Sequence, residues 1–538
     1  MDQEPAQAVA GDEASLSRLP PPRPIRHNGG VVDTAERATT VAGQGDQVDV
    51  TRLVAWARGR DPVRWILGGM VVVWFLVFFL LCKLRHDRFG TFAFDLGTYD
   101  QGVWLLAHGK QFVTVRGLNI LGHHMNLILL LIAPFYRLGA GPEFLAFVQV
   151  AAQASGAVAV FLLARDRLAD RWLALVLAAV LLLNPTYQFL TWEFFHPDSL
   201  AIAPLLFAYW AARARRWGWF ALAAVLAVAC KEDAALAVAV IGVLVAVRQN
   251  RKVGAIVAGL AAGWFMLTTR VLQPALIPGN APFYDTFFGD LGNSFGEVLK
   301  NVLVRPGTVF DLATRPDRIS YYQMMFAPFA FLPLASLSTL LIAVPMLAVN
   351  VLTTFPYARD HEYHYSALVV AGGILATVEG IARIGRSPSA RRFLVGAVAA
   401  CALATSVAWG VSPLSVKYRQ GYWPLAQGPR TAVQQAAVDL IPPGEAVSAI
   451  YMLLPHLSHR ERIYNFPEPF RRVDWGVVGE GLHDPAVVDW LVLDRQVLNE
   501  RDQRLVDRLL QSQFTVRYDT DGILVAERTA SGPPVATD

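Results

Sequence analysis

The feature that most constrains this chain is its series of long apolar runs separated by short polar connections. The first run, residues 65–84, reads "WILGGMVVVWFLVFFLLCKL". A helix needs about 20 mainly apolar residues to cross a bilayer. Only 17% of the 538 residues are charged, against about 25% in soluble proteins. The chain is therefore predicted to be a polytopic α-helical membrane protein.

The apolar runs predict about eleven transmembrane helices, together with a tail and a C-terminal region that are not membrane-spanning. Residues 1–60 are rich in Pro, Gly and Ala without periodicity, which predicts a disordered tail. The bundle is expected over 61–411, with outer loops at 85–142 and 273–321. Residues 126–138 are short for a span and predict a helix at the outer surface. The candidate spans lie near 65–84, 143–164, 172–191, 198–212, 217–230, 234–247, 253–272, 322–333, 336–355, 365–384 and 393–411.

Basic residues occur in alternate connections, and this pattern predicts the orientation of the bundle. Such connections are cytoplasmic in most membrane proteins. The N-terminus is therefore expected on the cytoplasmic side of the membrane and residues 412–538 on the outer side. Ten of the eleven histidines then fall on the outer face, the exception being His27. The net charge of +4 follows from this topology, so no nucleic-acid partner is expected. The basic groups are centred on Arg64, Arg165, Arg213, Arg248 and Arg391.

Two acids follow the first span in "FDLGTYDQ", residues 94–101. A loop entering a short helix at about Leu96 would place Asp95 near its cap position, which is the structural explanation of this residue. The functional explanation is a general base at the membrane surface. Asp100 fits an orienting or structural polar group better.

Further polar groups occupy the other predicted outer connections. His123 and His124 are adjacent, and side chains adjacent on a helix point about 100° apart, so one metal rarely takes both. They serve either as ordinary imidazoles or as donors to a phosphate oxygen. Glu193, His196 and Asp198 lie at the outer end of a span, where Asp198 could cap the next helix. The remaining groups are Lys231, Glu232 and Asp233, and then His361 and His364.

Charges at membrane depth usually mark function or mutual pairing. Lys231 and Glu232 therefore either neutralise each other, or Lys231 faces an anionic phosphate while a carboxylate positions it. "HEYHY" is not the zinc-protease pattern, because His361 and His364 are three residues apart, not four. A divalent ion among Asp95, Glu232, Asp233 and these histidines is compatible with the residues, but no pattern requires one.

The C-terminal region, 412–538, predicts a small extracytoplasmic α/β domain. Strands are expected at 446–451 and 487–494, and helices at 430–441 and 500–512. Residues 514–528, "FTVRYDTDGILVAER", predict a hairpin that turns at Asp519–Gly522.

Several separated motifs resemble the DUF2079 family of predicted prokaryotic membrane proteins. They are "FDLGTYDQGVW", "NILGHHMNLILLLIAPFYRL", "EFFHPDSLA", "CKEDAAL" and "VSAIYMLLPHLSHRERIYNFP". The likeness covers about residues 90–530. The family resembles, more distantly, the GT-C glycosyltransferases, which use polyprenyl-phosphate-linked sugars. That resemblance implies a catalytic acid at Asp95. The usual Asp-Glu pair is missing, since Leu96 follows, and this leaves Asp100 as the second candidate.

The resemblance implies a GT-C-type glycosyltransferase of the cell envelope. Its partners would be a polyprenyl-phosphate sugar donor, membrane lipids, and a glycan, lipid or protein acceptor outside the membrane. A single displacement would invert the anomeric carbon. The residues that bind the substrate and its phosphate would come from the polar groups at 123–124, 193–196, 231–233 and 361–364. The alternatives are a transporter or lipid flippase, for which Asn184-Pro185 and Pro204 suggest broken helices, and a non-catalytic scaffold.

Overall fold

The computed structural model describes residues 61–277, 287–473 and 484–529, and this part of the chain is mainly helical. Shorter helical turns occupy Ile120–His123, Gln273–Leu276, Leu337–Leu340 and Val416–Arg419. The helices of eight residues or more are α1 Pro62–Asp87, α2 Thr98–Ala107, α3 Leu129–Tyr136, α4 Pro142–Leu168, α5 Arg171–Leu183, α6 Pro185–Trp192, α7 Pro197–Arg213, α8 Trp217–Cys230, α9 Ala234–Arg248, α10 Arg251–Leu267, α11 Phe295–Val304, α12 Pro306–Ala313, α13 Pro316–Phe326, α14 Val344–Leu352, α15 Ala367–Ile384, α16 Pro388–Trp409, α17 Pro429–Asp439 and α18 Glu500–Ser512.

The helices begin where local chemistry favours a start. Proline occupies the first position of α1, α4, α6, α7 and α16, where its missing N–H costs nothing. Polar side chains cap the first backbone amides of several helices: Asp170 accepts from Trp172 N, and Asn250 accepts from Val253 N. These caps fix the short connections that carry the polar residues of the chain.

Five described helices are long and apolar enough to cross a membrane, and two bent pairs raise this number to seven. The chain is thus a membrane protein with several apolar helices, as predicted, but the eleven spans are not confirmed. α5 and α6 form one bent pair, at 48°, and α8 and α9 are shorter apolar helices.

The separate spans predicted at 322–333 and 336–355 are wrong. The chain forms a second bent pair there, Pro316–Phe329 and Leu332–Leu340, with an angle of 81°. Ala330 and Phe331 have positive φ angles of 51° and 56° at the reversal. Pro328 and Pro333 flank it and cannot continue a helix interior. The next helix, α14, has nine residues and extends about 14 Å, half of a hydrocarbon core.

The segment predicted as the outer loop 273–321 is largely helical in its described part. It contains α11, α12 and the start of α13. The length and glycine content of this loop also predict a lid ordered by substrate, with Tyr284, Asp285, Asp290 and Asn293 as its polar residues. Tyr284 and Asp285 lie outside the described residues. Of the other two, Asp290 pairs with Arg315 at 3.3 Å, and the Asn293 amide donates to Glu297 at 2.9 Å.

The C-terminal strands form a five-stranded sheet of order β4-β3-β5-β7-β6. Parallel pairing joins β3 to β4 and β5, and antiparallel pairing joins β5 to β7 and β7 to β6. The predicted hairpin is confirmed, since Thr520 pairs with Ile523 across a turn with Gly522 at φ 79°. A separate two-stranded ribbon pairs β1 with β2. The strands are β1 Phe112–Val113, β2 Leu118–Asn119, β3 Val447–Ala449, β4 Ile463–Asn465, β5 Trp490–Asp494, β6 Phe514–Thr520 and β7 Ile523–Arg528.

The segment around β3 and β4 packs on the first polar connection after α1. Ala93 N donates to Tyr451 O at 2.8 Å, and Thr114 Oγ1 donates to Ile463 O at 2.7 Å. Gly97 lies so close to Leu454 that a Cβ atom there would approach its side chain to 2.7 Å. Residues more than 300 positions apart thus hold the connection that carries Asp95.

Basic residues from two of the predicted inner connections share one carboxylate partner. Arg167 and Arg213 both pair with Glu379, at 2.9 and 3.3 Å, and Tyr209 donates to it at 3.2 Å. Arg391 donates to Leu168 O at 3.0 Å. These contacts are consistent with the alternation of connections read from the sequence.

Candidate functional site

Asp95 has a strained backbone, with φ 59° and ψ −88°. This conformation is near that of a γ-turn with positive φ, which is rare for a residue with a Cβ atom. The helix that follows, α2, begins at Thr98 after Gly97 and has no side-chain cap. Asp95 therefore does not cap it, contrary to the structural explanation. Strain of this kind persists only where the surrounding contacts hold it, and it concentrates at functional sites.

The Asp95 carboxylate faces His196, which precedes α7. Asp95 Oδ1 lies 3.9 Å from His196 Nε2, and the Tyr99 hydroxyl lies 3.5 Å from the same nitrogen. On the other side of the ring, His196 Nδ1 lies 2.7 Å from Asp198 Oδ2. Asp198 thus fixes the orientation of the imidazole, a role beyond the helix cap considered from sequence.

His364 and Glu193 complete this side of the site. The His196 and His364 rings are stacked, with centroids 3.4 Å apart and planes 10° apart. His364 Nδ1 lies 3.2 Å from Glu193 Oε1. Each imidazole therefore has its own carboxylate at Nδ1.

Lys231 joins the cluster through Asp198. Its Nζ lies 2.9 Å from Asp198 Oδ1 and 3.3 Å from Asp233 Oδ2. Burial works against the charged ammonium, but the surrounding carboxylates outweigh it and raise the pKa of Lys231 well above its ordinary range. Burial also raises the pKa of Asp233 to about 7, against the opposing effect of Lys231. The buried pair is Lys–Asp and not the Lys–Glu pair considered from sequence.

Glu232 instead contacts the polar segment between α2 and α3. Its carboxylate lies 2.8 Å from His124 Nδ1 and accepts from Met125 N at 3.0 Å. The His123 and His124 rings are 4.4 Å apart. Burial and neighbouring positive charges lower the pKa of both histidines well below the ordinary value. They are therefore neutral at pH 7, and their phosphate contacts remain a prediction.

Burial and nearby positive charges have opposite effects on the pKa of Asp95. Burial raises its pKa, and His196, Arg116 and Arg85 oppose that rise. The side chain nevertheless keeps 31% of its surface accessible. The carboxylate is thus surrounded by protein but open to a small molecule.

Two arginines and the stacked rings of Phe92 and Tyr451 lie around Asp95 and were missed in the sequence, whereas Phe94 and Trp192 were predicted from it as surfaces for a sugar. The Arg85 guanidinium lies 3.7 Å from the Trp192 ring centroid and donates to Trp192 O. Arg116 lies 4.5 Å from the Phe94 ring centroid, and Phe92 stacks on Tyr451 at 5.2 Å. An arginine at the predicted outer end of the first span, against the charge rule, was the available signal for Arg85.

Two of the predicted site residues have other partners. Asp100 is fully buried and accepts from Tyr136 and Ser458, both at 2.5 Å, beside His459 at 3.1 Å. Its contacts join α2 to α3 and to the C-terminal segment. His361 Nδ1 lies 3.6 Å from Asp360. The structure brings the other nine together: Asp95, His123, His124, Glu193, His196, Lys231, Glu232, Asp233 and His364.

Within the described residues, two groups of side chains have ligand atoms close enough to hold a metal ion. One consists of Asp95, His196 and His364, and the other of Asp360, His361 and Glu362. The first coincides with the cluster just described. The second is already engaged in part, because Tyr422 donates to Glu362 at 3.1 Å and Lys417 pairs with it.

Similarity to solved structures defines the class of this fold. ArnT from Cupriavidus metallidurans, crystallised with undecaprenyl phosphate, matches with a TM-score of 0.50 and 14% identity, over 88% of this chain and 100% of ArnT. An oligosaccharyltransferase from Archaeoglobus fulgidus matches with a TM-score of 0.35 and 14% identity, over 85% of this chain and 73% of that protein. ArnT is a GT-C glycosyltransferase. The chain has a GT-C-like membrane fold.

The chain belongs to DUF2079, described as predicted membrane proteins, and the match extends over residues 85–525. The resemblance noted in the motifs is thereby confirmed. No curated protein matches the sequence.

Proposed function

We propose that this protein is a membrane glycosyltransferase that transfers a sugar from a polyprenyl-phosphate donor to an acceptor hydroxyl outside the membrane. One observation carries the proposal. In a chain with a GT-C-like fold, the acid after the first long helix is strained, partly accessible and opposed to a buried histidine. Functional groups are commonly held in this way.

Asp95 acts as the general base. The acceptor O–H bond breaks and its proton moves to the carboxylate, while the oxygen attacks the anomeric carbon. The bond from that carbon to the phosphate oxygen breaks, and the electron pair leaves with the lipid phosphate. One displacement inverts the anomeric centre. The burial that raises the pKa of Asp95 also strengthens it as a base near neutral pH.

The leaving phosphate requires stabilisation of its negative charge. Arg85 and Arg116 are the cations beside Asp95. Arg85 has one buried guanidinium nitrogen, Nη2, that has no hydrogen-bond partner among the residues that the structure describes. Lys231 is held by two carboxylates, and its proposed role is to keep Asp198 ionised beneath His196. The surrounding aromatic rings offer surfaces for stacking on the sugar.

The proposed orientation places this cluster outside the cytoplasmic membrane, with the N-terminus inside and residues 412–538 outside. The alternation of basic connections supports it.

A transporter has one supporting observation, the 48° break between α5 and α6. Local contacts account for that break. Asn184 Oδ1 accepts from Tyr187 N at 3.1 Å, and Gln188 Nε2 donates to Leu182 O at 3.3 Å. The freed backbone groups thus have protein partners, and the acid–base cluster lies at helix ends and not at the break. Transferase function accounts for more of the structure.

Native mass spectrometry of protein extracted from its own membranes is the first test. A co-purifying polyprenyl-phosphate sugar is expected, and its mass identifies the sugar class. Transfer is then compared between the wild type and Asp95→Asn, which should lose about 100-fold or more while binding undecaprenyl phosphate normally. Asp87→Asn is the matched control, because Asp87 pairs with Lys83 at 2.9 Å near the same end of α1. Absence of polyprenyl-phosphate binding and of sugar transfer would refute the transferase, and full activity of Asp95→Asn would refute Asp95 as the base.

A further inference from the structure

A cleft lies between the last turns of α7 and α9, at the opposite end of α7 from His196. It holds about 210 Å³ of space, counted with the part that opens to the surroundings. One wall is apolar and the other is polar. The apolar wall comes from Ile241, Leu244 and Val245 of α9, and the polar groups are Arg213, Arg248 and Gln249.

The cations around this cleft outnumber the anions. Arg213 lies 3.3 Å from Glu379, but Arg167 shares the same carboxylate at 2.9 Å. Arg248 is exposed at the end of α9 and forms no ion pair with any residue that the structure describes. Three guanidinium groups against one carboxylate leave two positive charges in excess. A cation in the last turn of a helix also offsets the helix dipole, but that effect does not explain why two such cations line one cleft.

Two polar atoms of the cleft residues lack partners. Arg213 Nε and Gln249 Oε1 are buried, and neither has a hydrogen-bond partner among the described residues. Buried polar groups are ordinarily bonded to protein, water or a ligand. A water molecule could satisfy this donor and this acceptor, but it would leave the excess positive charge unneutralised. A ligand with negatively charged oxygen atoms meets both requirements after small shifts of the side chains.

The location of the cleft indicates where such an anion comes from. α7 and α9 both end in basic connections that are predicted to be cytoplasmic. The residue next to the apolar wall, Val247, is 78% exposed, as expected for a side chain that faces lipid tails. Basic pockets between membrane helices on the cytoplasmic side bind anionic lipid headgroups. A free phosphate ion would gain nothing from the apolar wall.

We infer that this cleft binds the phosphate of an anionic glycerophospholipid such as phosphatidylglycerol. Arg213 and Arg248 contact the phosphate, Gln249 hydrogen-bonds to the headgroup, and the start of an acyl chain packs on the wall formed by α9. A zwitterionic lipid is disfavoured, because its own cation would lie beside the two arginines. The inference does not depend on the proposed transferase function.

The two helices of the cleft also lead to the cluster around Asp95. α7 follows His196 and carries Asp198 in its first turn, and α9 follows directly after Asp233. A lipid that bridges the far ends of α7 and α9 therefore holds together two helices whose other ends position the Lys231–Asp198 pair. Since the lipid binds the folded protein, it should also raise the stability of that state as its concentration rises.

The experiment titrates delipidated full-length protein with phosphatidylglycerol, with phosphatidylcholine of the same acyl chains, and with inorganic phosphate, followed by native mass spectrometry. The wild type should retain one phosphatidylglycerol in preference to the other two. Arg248→Gln and Arg213→Gln should each weaken this binding about fivefold or more. Arg251→Gln is the matched control, because it removes a positive charge from the same connection but does not line the cleft. Phosphatidylglycerol should raise the Tm of the wild type and of Arg251→Gln more than that of Arg248→Gln.

Several results would overturn the inference. Equal retention of the two lipids would remove the preference for an anion, and equally tight binding of inorganic phosphate would remove the lipid. Equal weakening by Arg248→Gln and Arg251→Gln would assign the effect to the general charge of the connection. Wild-type affinity in Arg248→Gln would leave an ordered water as the explanation of the cleft. If Arg213→Gln does not fold, Arg248→Gln decides, because its side chain is exposed. Lipid binding by a protein that transfers no sugar would sustain the site and refute the transferase alone.

Discussion

Substitution of Asp95 by glycine and by alanine tests whether its backbone is strained. At ordinary helix or strand positions, glycine is less stable than alanine by about 0.5–1 kcal/mol, because it loses more conformational freedom on folding. At φ 59° and ψ −88° the order should reverse. An unfavourable backbone conformation costs about 1–3 kcal/mol, and glycine removes most of that cost.

The expected difference follows from the two effects. Relief of about 2 kcal/mol of strain, less the entropic loss of glycine, leaves Asp95→Gly about 1 kcal/mol more stable than Asp95→Ala. That corresponds to roughly a fivefold change in the ratio of folded to unfolded protein. Both variants lose the carboxylate and its contact with His196, so these effects cancel in the comparison.

The measurement is the unfolding of both variants in the same mixed micelles, followed by tryptophan fluorescence and by protease resistance. Both variants should be inactive in sugar transfer, because both lack the carboxylate. Of the two, only Asp95→Gly should gain stability from the relief of backbone strain. If Asp95→Ala proves equally stable or more stable, the backbone is not strained, and the argument from strain to function fails.

Three further predictions address acid–base behaviour and packing. The transfer rate, measured as a pH–rate profile, should fall with decreasing pH as Asp95 is protonated. Because burial raises the pKa of Asp95, the midpoint should lie above the value of about 3.9 for an exposed aspartate. Arg116→Gln removes a positive charge that opposes this rise, so it should move the midpoint higher. Asp100→Ala should destabilise the fold by about 2 kcal/mol in the unfolding assay. His459, Ser458 and Tyr136 lower the pKa of Asp100 against the opposing effect of burial. In the wild type, the stability that ionised Asp100 provides should therefore be lost only as the pH falls through that lowered pKa. Gly254→Val should impair folding, measured as monodisperse yield, because its Cβ would lie 2.1 Å from Ala246 N, whereas Gly259→Val in the same helix has open space and should be neutral.

The apolar runs and the alternation of basic connections were sufficient to predict much of the molecule. They identified the helical bundle and correctly grouped the connections that hold Asp95, His124, His196, Lys231 and His364. Most predicted apolar runs are helices, because hydrophobic length and proline starts are local properties. The C-terminal hairpin could also be predicted, because its strand pattern and its turn at Asp519–Gly522 are local properties of the sequence.

The errors come from properties that are not local. The run at 322–355 is apolar enough for two spans, but its prolines break it into short helices. The pairing of Lys231 with Asp198 joins residues 33 positions apart. Composition indicated that such charges must be paired, but only the fold selects the partner. The backbone strain at Asp95 likewise depends on distant contacts that hold the turn.

Those distant contacts have a consequence for biosynthesis. The turn at Asp95 leaves the ribosome early, whereas Tyr451, Leu454 and Ile463, which hold its surroundings, are made more than 350 residues later. A nascent chain that stops short of them lacks the groups that fix the carboxylate against His196. Assembly of the proposed active site would then be a late event of synthesis, and shorter chains would enter the membrane without the proposed transferase activity.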